Sequence, residues 1–351
     1  MSMRNEHDLP WLKDTLAALR DESRGHAIIL HGGAGSGQFE LALRAAQAWL
    51  CESAPGPCDR CTSCHLAVAH SHPDLKVVLP EALQQSLKWF SDGDGDADGG
   101  DGDSKSKRKP SREIRVEQVR QAIDWAHTSS GRGQGKVLVL FPADAMNTVS
   151  ANALLKTLEE PAAGMRLLLC VDDPEKLLPT IRSRCQRVRL TAPSMETSLA
   201  WLKQQGHADA HILLAAAGGE PLAAAQLAAQ GLNAAMWASL PAQMVQGDLR
   251  VWAAMAVPDA LRAMQLICHD VMALTAGAEP RFFPADALEA GPDWQALIDW
   301  QRALVRTSRH ADHPWQAPLL IEALAGQGRA ALLGHTSSSK AKSPRIGTLR
   351  A

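Results

Sequence analysis

Apolar residues recur along this chain in two rhythms. Up to about residue 190, short runs at 27–30, 75–79, 136–141 and 165–171, apolar but for Lys76, Lys136 and Arg166, alternate with longer segments whose apolar positions return every three or four residues. A continuous run bounded by turn residues is the mark of a strand buried on both faces. Spacings of three and four mark an amphipathic helix. Helices are therefore expected at 9–20, with Leu9, Leu12, Leu16 and Leu19 on one face and Asp8 as the cap, and at 41–50, 114–128 and 151–160, the last ended by Pro161. Another follows from Pro174 and leads to a short strand at 186–190. Strands alternating with helices predict a doubly wound α/β domain. From Pro193 onward the pattern is helical only, with breaks expected at Gly218-Gly219, near Gly231, and at Pro241, Pro258 and Pro280.

One segment obeys neither rhythm. Residues 91–102 are almost wholly Asp and Gly, and 104–112 are basic through Lys105, Lys107, Arg108, Lys109 and Arg112. Such a composition cannot bury a core and is expected to be a disordered surface loop, 91–112. The alternative, that its basic half meets nucleic acid, stays open. At 351 residues the chain has room for two or three domains, and its net charge of −2 gives no global case for nucleic-acid binding. No apolar run reaches about 18 residues and residues 1–6 hold no apolar signal core, so a cytoplasmic protein without a membrane span is expected.

Seven cysteines in a reducing compartment point away from disulfides. Four of them, Cys51, Cys58, Cys61 and Cys64, stand as C-x6-C-x2-C-x2-C. Two overlapping C-x2-C pairs put three thiolates on one tight turn, and Cys51 closes the set from the end of the preceding helix. Four thiolates make a closed structural zinc site, which staples a fold and does no chemistry. A cluster of buried reduced cysteines is the alternative, and His65, His70 or His72 could replace one ligand.

The run 27–30 leads into His31-Gly32-Gly33-Ala34-Gly35-Ser36-Gly37-Gln38-Phe39-Glu40 and then a helix. Strand, glycine loop and helix are the layout of a phosphate-binding loop, in which backbone N–H groups and a helix N-terminus face the anion. Gly32 and Gly37 have the required spacing, but Gln38 stands where a Lys would meet the phosphates and Phe39 where a hydroxyl would hold Mg²⁺. A second part of the machinery is changed as well. The buried run 136–141 would end in an Asp for Mg²⁺ and often a Glu for the attacking water; here Phe141 and Pro142 occupy those places, and Asp144 lies too far along. On this stretch alone, a plain glycine-rich turn and a degenerate phosphate loop are both open.

Asn152-Ala153-Leu154-Leu155-Lys156-Thr157-Leu158-Glu159-Glu160-Pro161, with Ser183-Arg184-Cys185 some twenty residues on, resembles the bacterial clamp loader family of AAA+ proteins. The four-cysteine insertion and His72-Pro73-Asp74 belong to the same pattern. The resemblance covers residues 8–230 closely and the C-terminal helices loosely. It implies a degenerate AAA+ domain over 1–190 with a zinc insertion at 51–72, a helical lid at 191–232, an all-α collar at 233–334 whose last helix runs over 313–324, and a flexible tail at 335–351. Within the family, motor subunits keep the loop lysine, the acidic strand end and an Arg after the second-domain glycine turn. Here that turn reads Gly218-Gly219-Glu220-Pro221. The resemblance thus implies a subunit without ATPase activity of its own, accessory to a DNA polymerase holoenzyme. It assigns Arg184 as an arginine finger reaching a neighbour's ATP, since a planar guanidinium stabilises charge on a transferring phosphoryl group. The implied partners are the gamma/tau motor subunit, the delta subunit, the sliding clamp indirectly or weakly, and primed DNA through its backbone; ATP would bind only in neighbouring subunits. Lys156, Glu159 and Glu160 read as a solvated, partner-facing helix side with pairs at three and four residues. Arg184 as an ordinary helix-end cation, an active motor-type ATPase and a stand-alone zinc nucleic-acid module are the competing readings.

Overall fold

The structure is a computed structural model that describes residues 9–21, 25–33, 35–89, 110–288, 293–309 and 316–333. Asp8, most of the Asp/Gly-rich and basic loop, residues 313–314 and the tail lie outside the described residues. The chain divides into two compact units, residues 1–201 and 202–351.

In the first unit a 3₁₀ turn at Pro10–Leu12 leads into α1 (Lys13–Asp21), then β1 (Ala27–His31), α2 (Gln38–Trp49), α3 (Thr62–Val68), β2 (Leu75–Val78), α4 (Glu81–Leu87), α5 (Val116–Ala126), β3 (Lys136–Leu140), α6 (Thr148–Glu159), β4 (Met165–Val171), α7 (Pro179–Arg182) and β5 (Gln186–Arg189). The five strands form one parallel sheet in the order β2-β3-β4-β1-β5. Ile28 stands opposite Leu168 on one side and Gln186 on the other. The central strands β1, β3 and β4 are buried on both faces, which is why their sequences run apolar without alternation. Ile29, Leu138, Leu140, Leu167 and Leu169 meet Val119, Leu154, Leu158 and Ile181 from α5, α6 and α7. On the other face α2 buries Leu41, Ala42, Ala45 and Ala46. The strand β5 is an edge, with Arg187 and Arg189 exposed.

Two helices differ from the expected bounds for local reasons. The α6 helix starts at Thr148, three residues early, because Asn147 Oδ1 accepts the N–H of Ser150 at 3.0 Å and caps it. The helix expected from Pro174 is instead a 3₁₀ turn, Pro174–Lys176, followed by the four-residue α7. Pro179 disfavours helical geometry in the residue before it, so the two pieces cannot fuse.

The α8 helix (Met195–Gln204) runs across the division at residue 201. The second unit continues with α9 (Ala210–Ala216), α10 (Pro221–Ala229), α11 (Ala234–Gln246), α12 (Arg250–Ala254), α13 (Val257–Thr275), α14 (Trp294–Ser308) and α15 (Ala317–Leu333). Trp237, Leu240, Met244, Trp252, Ile267, Val271, Leu297 and Trp300 lie in its core. The expected break at Pro241 does not occur. Pro241 lies inside α11, on the same buried face as Trp237, Leu240 and Met244, so packing of that face offsets the lost hydrogen bond, a cost of about 3 kcal/mol. At Pro258 the expected break is present: α12 ends at Ala254 and α13 begins at Val257, with Pro258 in its first turn, where its missing N–H is harmless. Asp270, fully buried, accepts the N–H groups of Arg281, Phe282 and Phe283 at 2.6–3.0 Å and so fixes the loop after α13. No single helix among the described residues is long and apolar enough to cross a membrane; α9 and α10 reach that composition only as a pair bent by 106°.

Candidate functional site

Three features of the first unit carry the residues singled out from sequence. The first is the glycine loop between β1 and α2. Gly37 has φ of +91°, and a Cβ there would stand 2.8 Å from Leu9 Cδ1 and 2.9 Å from Leu12 Cδ1, so the turn before α1 packs directly over the loop. A Cβ on Gly32 would come within 2.9 Å of the Leu190 carbonyl. Both glycines are thus demanded by close packing, whatever the loop binds. Ser36 turns inward, its N–H and Oγ both donating to Gly33 O, and Trp11 Nε1 donates to Ser36 O at 3.1 Å.

Gln38 is buried at the first turn of α2. Its Nε2 donates to Gly32 O at 2.8 Å, Gly33 O at 3.2 Å and Asp172 Oδ1 at 3.0 Å. The amide therefore ties the loop to the end of β4 from inside. Phe39 stacks on Phe141, with centroids 4.6 Å apart and planes 12° apart, and leans on Trp89 at 5.7 Å. Trp89 in turn stacks on His70. In an active loop a hydroxyl and a strand-end carboxylate jointly hold the metal; here two aromatic rings at those positions hold each other. Asp172 was not singled out from sequence. Its place just past a buried parallel strand, where open α/β sheets bind ligands, was the available signal. Partial burial and the carboxylate of Asp144 raise its pKa, against Lys176 and Gln38.

The second feature is Arg184, just beyond α7. Its Nε donates to Glu159 Oε1 at 2.8 Å and its Nη2 to the same oxygen; its Nη1 donates to Thr180 O at 2.9 Å and Ser183 Oγ at 3.2 Å. Glu159 is therefore taken by Arg184, not by Lys156 on its own helix as its spacing suggested. Cys185 is half-buried against the core on the α5–α7 side, and burial pushes its thiol up to about 11.

The third feature lies past the other end of α2. Cys51, Cys58, Cys61 and Cys64 bring their Sγ atoms within 4.8 Å of one another, with Cys51–Cys61 and Cys58–Cys64 at 3.9 Å. A tetrahedral ion with thiolate bonds of ~2.3 Å sets its ligands ~3.8 Å apart, so the donor set fits such an ion. Backbone N–H groups of Ser53, Cys61 and Cys64 point at the sulfurs of Cys51, Cys58 and Cys61, all at 3.4 Å, as stabilises thiolates. The N–H groups of Arg60 and Cys61 help draw the Cys58 thiol down, whereas burial pushes Cys64 up. The histidines stand aside. His70 stacks on Trp89, and buried His72 accepts the N–H of Asp74 through Nδ1 at 3.0 Å.

The insertion is bolted to the sheet domain. Arg44 pairs with Asp59 at 2.7 Å, Gln47 donates to Cys64 O at 3.3 Å, and Arg132 reaches both Glu52 and Ser63. Asp74 holds Arg132 in place, accepting from Ser130 Oγ and the N–H groups of Gly131 and Arg132 at 2.7–2.9 Å. Burial works to raise the Asp74 carboxyl, but these donors outweigh it and hold it below the usual range.

The strand order and the loop after β1 define a phosphate-loop-type parallel α/β unit, with Phe39 and Phe141 stacked beside the loop. The family described as "DNA polymerase III, delta subunit" matches residues 11–194, and the chain belongs to it. Over 245 residues it is 36% identical to DNA polymerase III subunit delta' of Pseudomonas aeruginosa, covering 68% of this chain and 65% of that protein. It is 34% identical over 202 residues to the subunit delta' of Yersinia pestis, covering 56% of this chain and 52% of that one. The chain thus spans between half and two thirds of these relatives' length. It is also 42% identical over 82 residues to DNA polymerase III subunit tau of Salmonella typhimurium, 23% of this chain and 13% of that protein.

Proposed function

We propose that this chain is a delta'-type clamp loader subunit that binds no ATP productively, lends Arg184 to a neighbouring motor subunit's ATP, and so helps place the sliding clamp on primed DNA. The observation that carries the reading is the self-filled loop: Gln38 is bonded to the loop's own carbonyls and Phe39 is stacked on Phe141. Neither a cationic group for the phosphates nor a carboxylate–hydroxyl pair for Mg²⁺ stands where nucleotide hydrolysis requires them. Arg184, by contrast, stands at a partly exposed position, its side chain 35% accessible. A trans arginine accelerates phosphoryl transfer ~10³–10⁵-fold in well-studied GTPases.

In this reading residues 191–232 act as a lid and 233–334 as a collar beside the gamma/tau and delta subunits, within the cytoplasm. The four cysteines hold a structural zinc ion that gives the insertion its shape. Clamp and DNA are met through the assembly, DNA by its phosphates alone. The test is ATP hydrolysis by a reconstituted clamp loader containing either the wild-type chain or Arg184→Ala, beside the chain alone. The isolated chain is expected to be inert, and the substitution to lower clamp- and DNA-stimulated turnover at least about tenfold while the assembly still forms. Turnover by the isolated chain would overturn the account of the loop; an unchanged rate with Arg184→Ala would leave the chain a scaffold.

A further inference from the structure

We infer that Glu159 is the positioning residue of Arg184, fixing the guanidinium before a neighbour's phosphate arrives. The inference rests on the trans role proposed for Arg184. A long arginine side chain carries about 2 kcal/mol of rotamer freedom, and a misplacement of about 1 Å at a reacting centre can cost ~10²-fold in rate. A finger on a surface therefore works best if its orientation is set in advance.

Arg184 is set from two sides. From its own segment, Thr180 O and Ser183 Oγ take Nη1. From α6, Glu159 Oε1 takes Nε and Nη2 together. Glu159 is the last residue of a helix anchored in the core by Leu154, Thr157 and Leu158, so the carboxylate stands on a rigid post. A guanidinium has five N–H groups. The second N–H on Nη2 has no acceptor among the described residues and remains for an incoming anion.

Stability does not account for the pair. Its side chains are 35% and 50% accessible, and exposed ion pairs contribute only ~0–1 kcal/mol. Glu159 also partly neutralises the charge that Arg184 would bring. An uncharged acceptor of the same shape should keep the orientation without that cost, which makes glutamine the informative substitution.

The experiment compares Glu159→Ala, Glu159→Gln, Arg184→Ala and the double alanine variant in the reconstituted assembly with wild-type motor subunits. It reads kcat and KM for ATP, with thermal unfolding of each chain as the control. Glu159→Ala is expected to lower kcat roughly tenfold at unchanged KM, and Glu159→Gln to keep at least about half of the wild-type kcat. The double variant should be no slower than Arg184→Ala, because the two residues act through one guanidinium. A Glu159→Ala rate equal to or above wild type would overturn the inference and make Glu159 inert or a restraint on the arginine. Glutamine as slow as alanine, or an additive loss in the double variant, would overturn it too. In each of those cases the role of Arg184 stands. If Arg184→Ala itself leaves kcat unchanged, that role falls, and the positioning role with it.

Discussion

The two ends of α2 solve opposite problems. At its N-terminus, the positions that would grip a ligand have turned on one another: Gln38 is bonded to its own loop and Phe39 is stacked on Phe141. Just past its C-terminus, four thiols converge without forming a disulfide: Cys51–Cys61 and Cys58–Cys64 stand at 3.9 Å, far beyond the ~2.05 Å of an S–S bond. One site is filled by its own side chains; the other has a donor set that fits an ion. The shape of the glycine loop does not depend on a ligand, because its glycines serve packing against Leu9, Leu12 and Leu190.

The sharpest way to break this contrast is to remove one sulfur. Cys61→Ser is expected to lose bound zinc and several kcal/mol of stability, read by metal content per chain and by thermal unfolding. Metal retained at the wild-type level would show that the ligand set is wrong. Next in size is Phe39→Ala. Phe39 is 8% exposed, stacked on Phe141 and tilted against Trp89, so its loss should cost about 3 kcal/mol in urea unfolding while metal content stays unchanged. If the loop end were as loosely held as an open nucleotide site, the cost would fall under about 1 kcal/mol.

A smaller effect belongs to Asp74, which holds Arg132 against the insertion. Asp74→Asn should cost about 2 kcal/mol at pH 7. The folded Asp74 carboxyl titrates below its unfolded value, so its stabilisation is present above that value and disappears as pH falls through the folded one. The difference between wild type and Asp74→Asn should accordingly shrink once the pH drops below about 4. A difference independent of pH would mean that shape, not charge, holds the turn.

Much of the first unit was legible because buried parallel strands and helix periods are written plainly in residue type. The runs at 136–141 and 165–171 became β3 and β4 within a residue. The cysteine spacing likewise announced its cluster. What sequence could not give were contacts between distant segments. Nothing in Gln38 points to Asp172, 134 residues on, and nothing in Glu159 prefers Arg184 over Lys156. Pro241 misled for a related reason: a local rule about proline yielded to a buried face assembled from other helices. Local chemistry is readable from neighbours in sequence, whereas the choice among partners is made by the packed core.

The exposed edge strand β5 has a consequence for how this chain meets other proteins. Its outer side offers backbone groups of the kind that recruit a further strand, yet Arg187 and Arg189 stand exposed along it. Two copies aligned there would set arginine against arginine, and a foreign apolar strand would have to strip water from both cations. The β5 edge of the sheet is thus guarded by charge against a further strand, whatever else the chain meets.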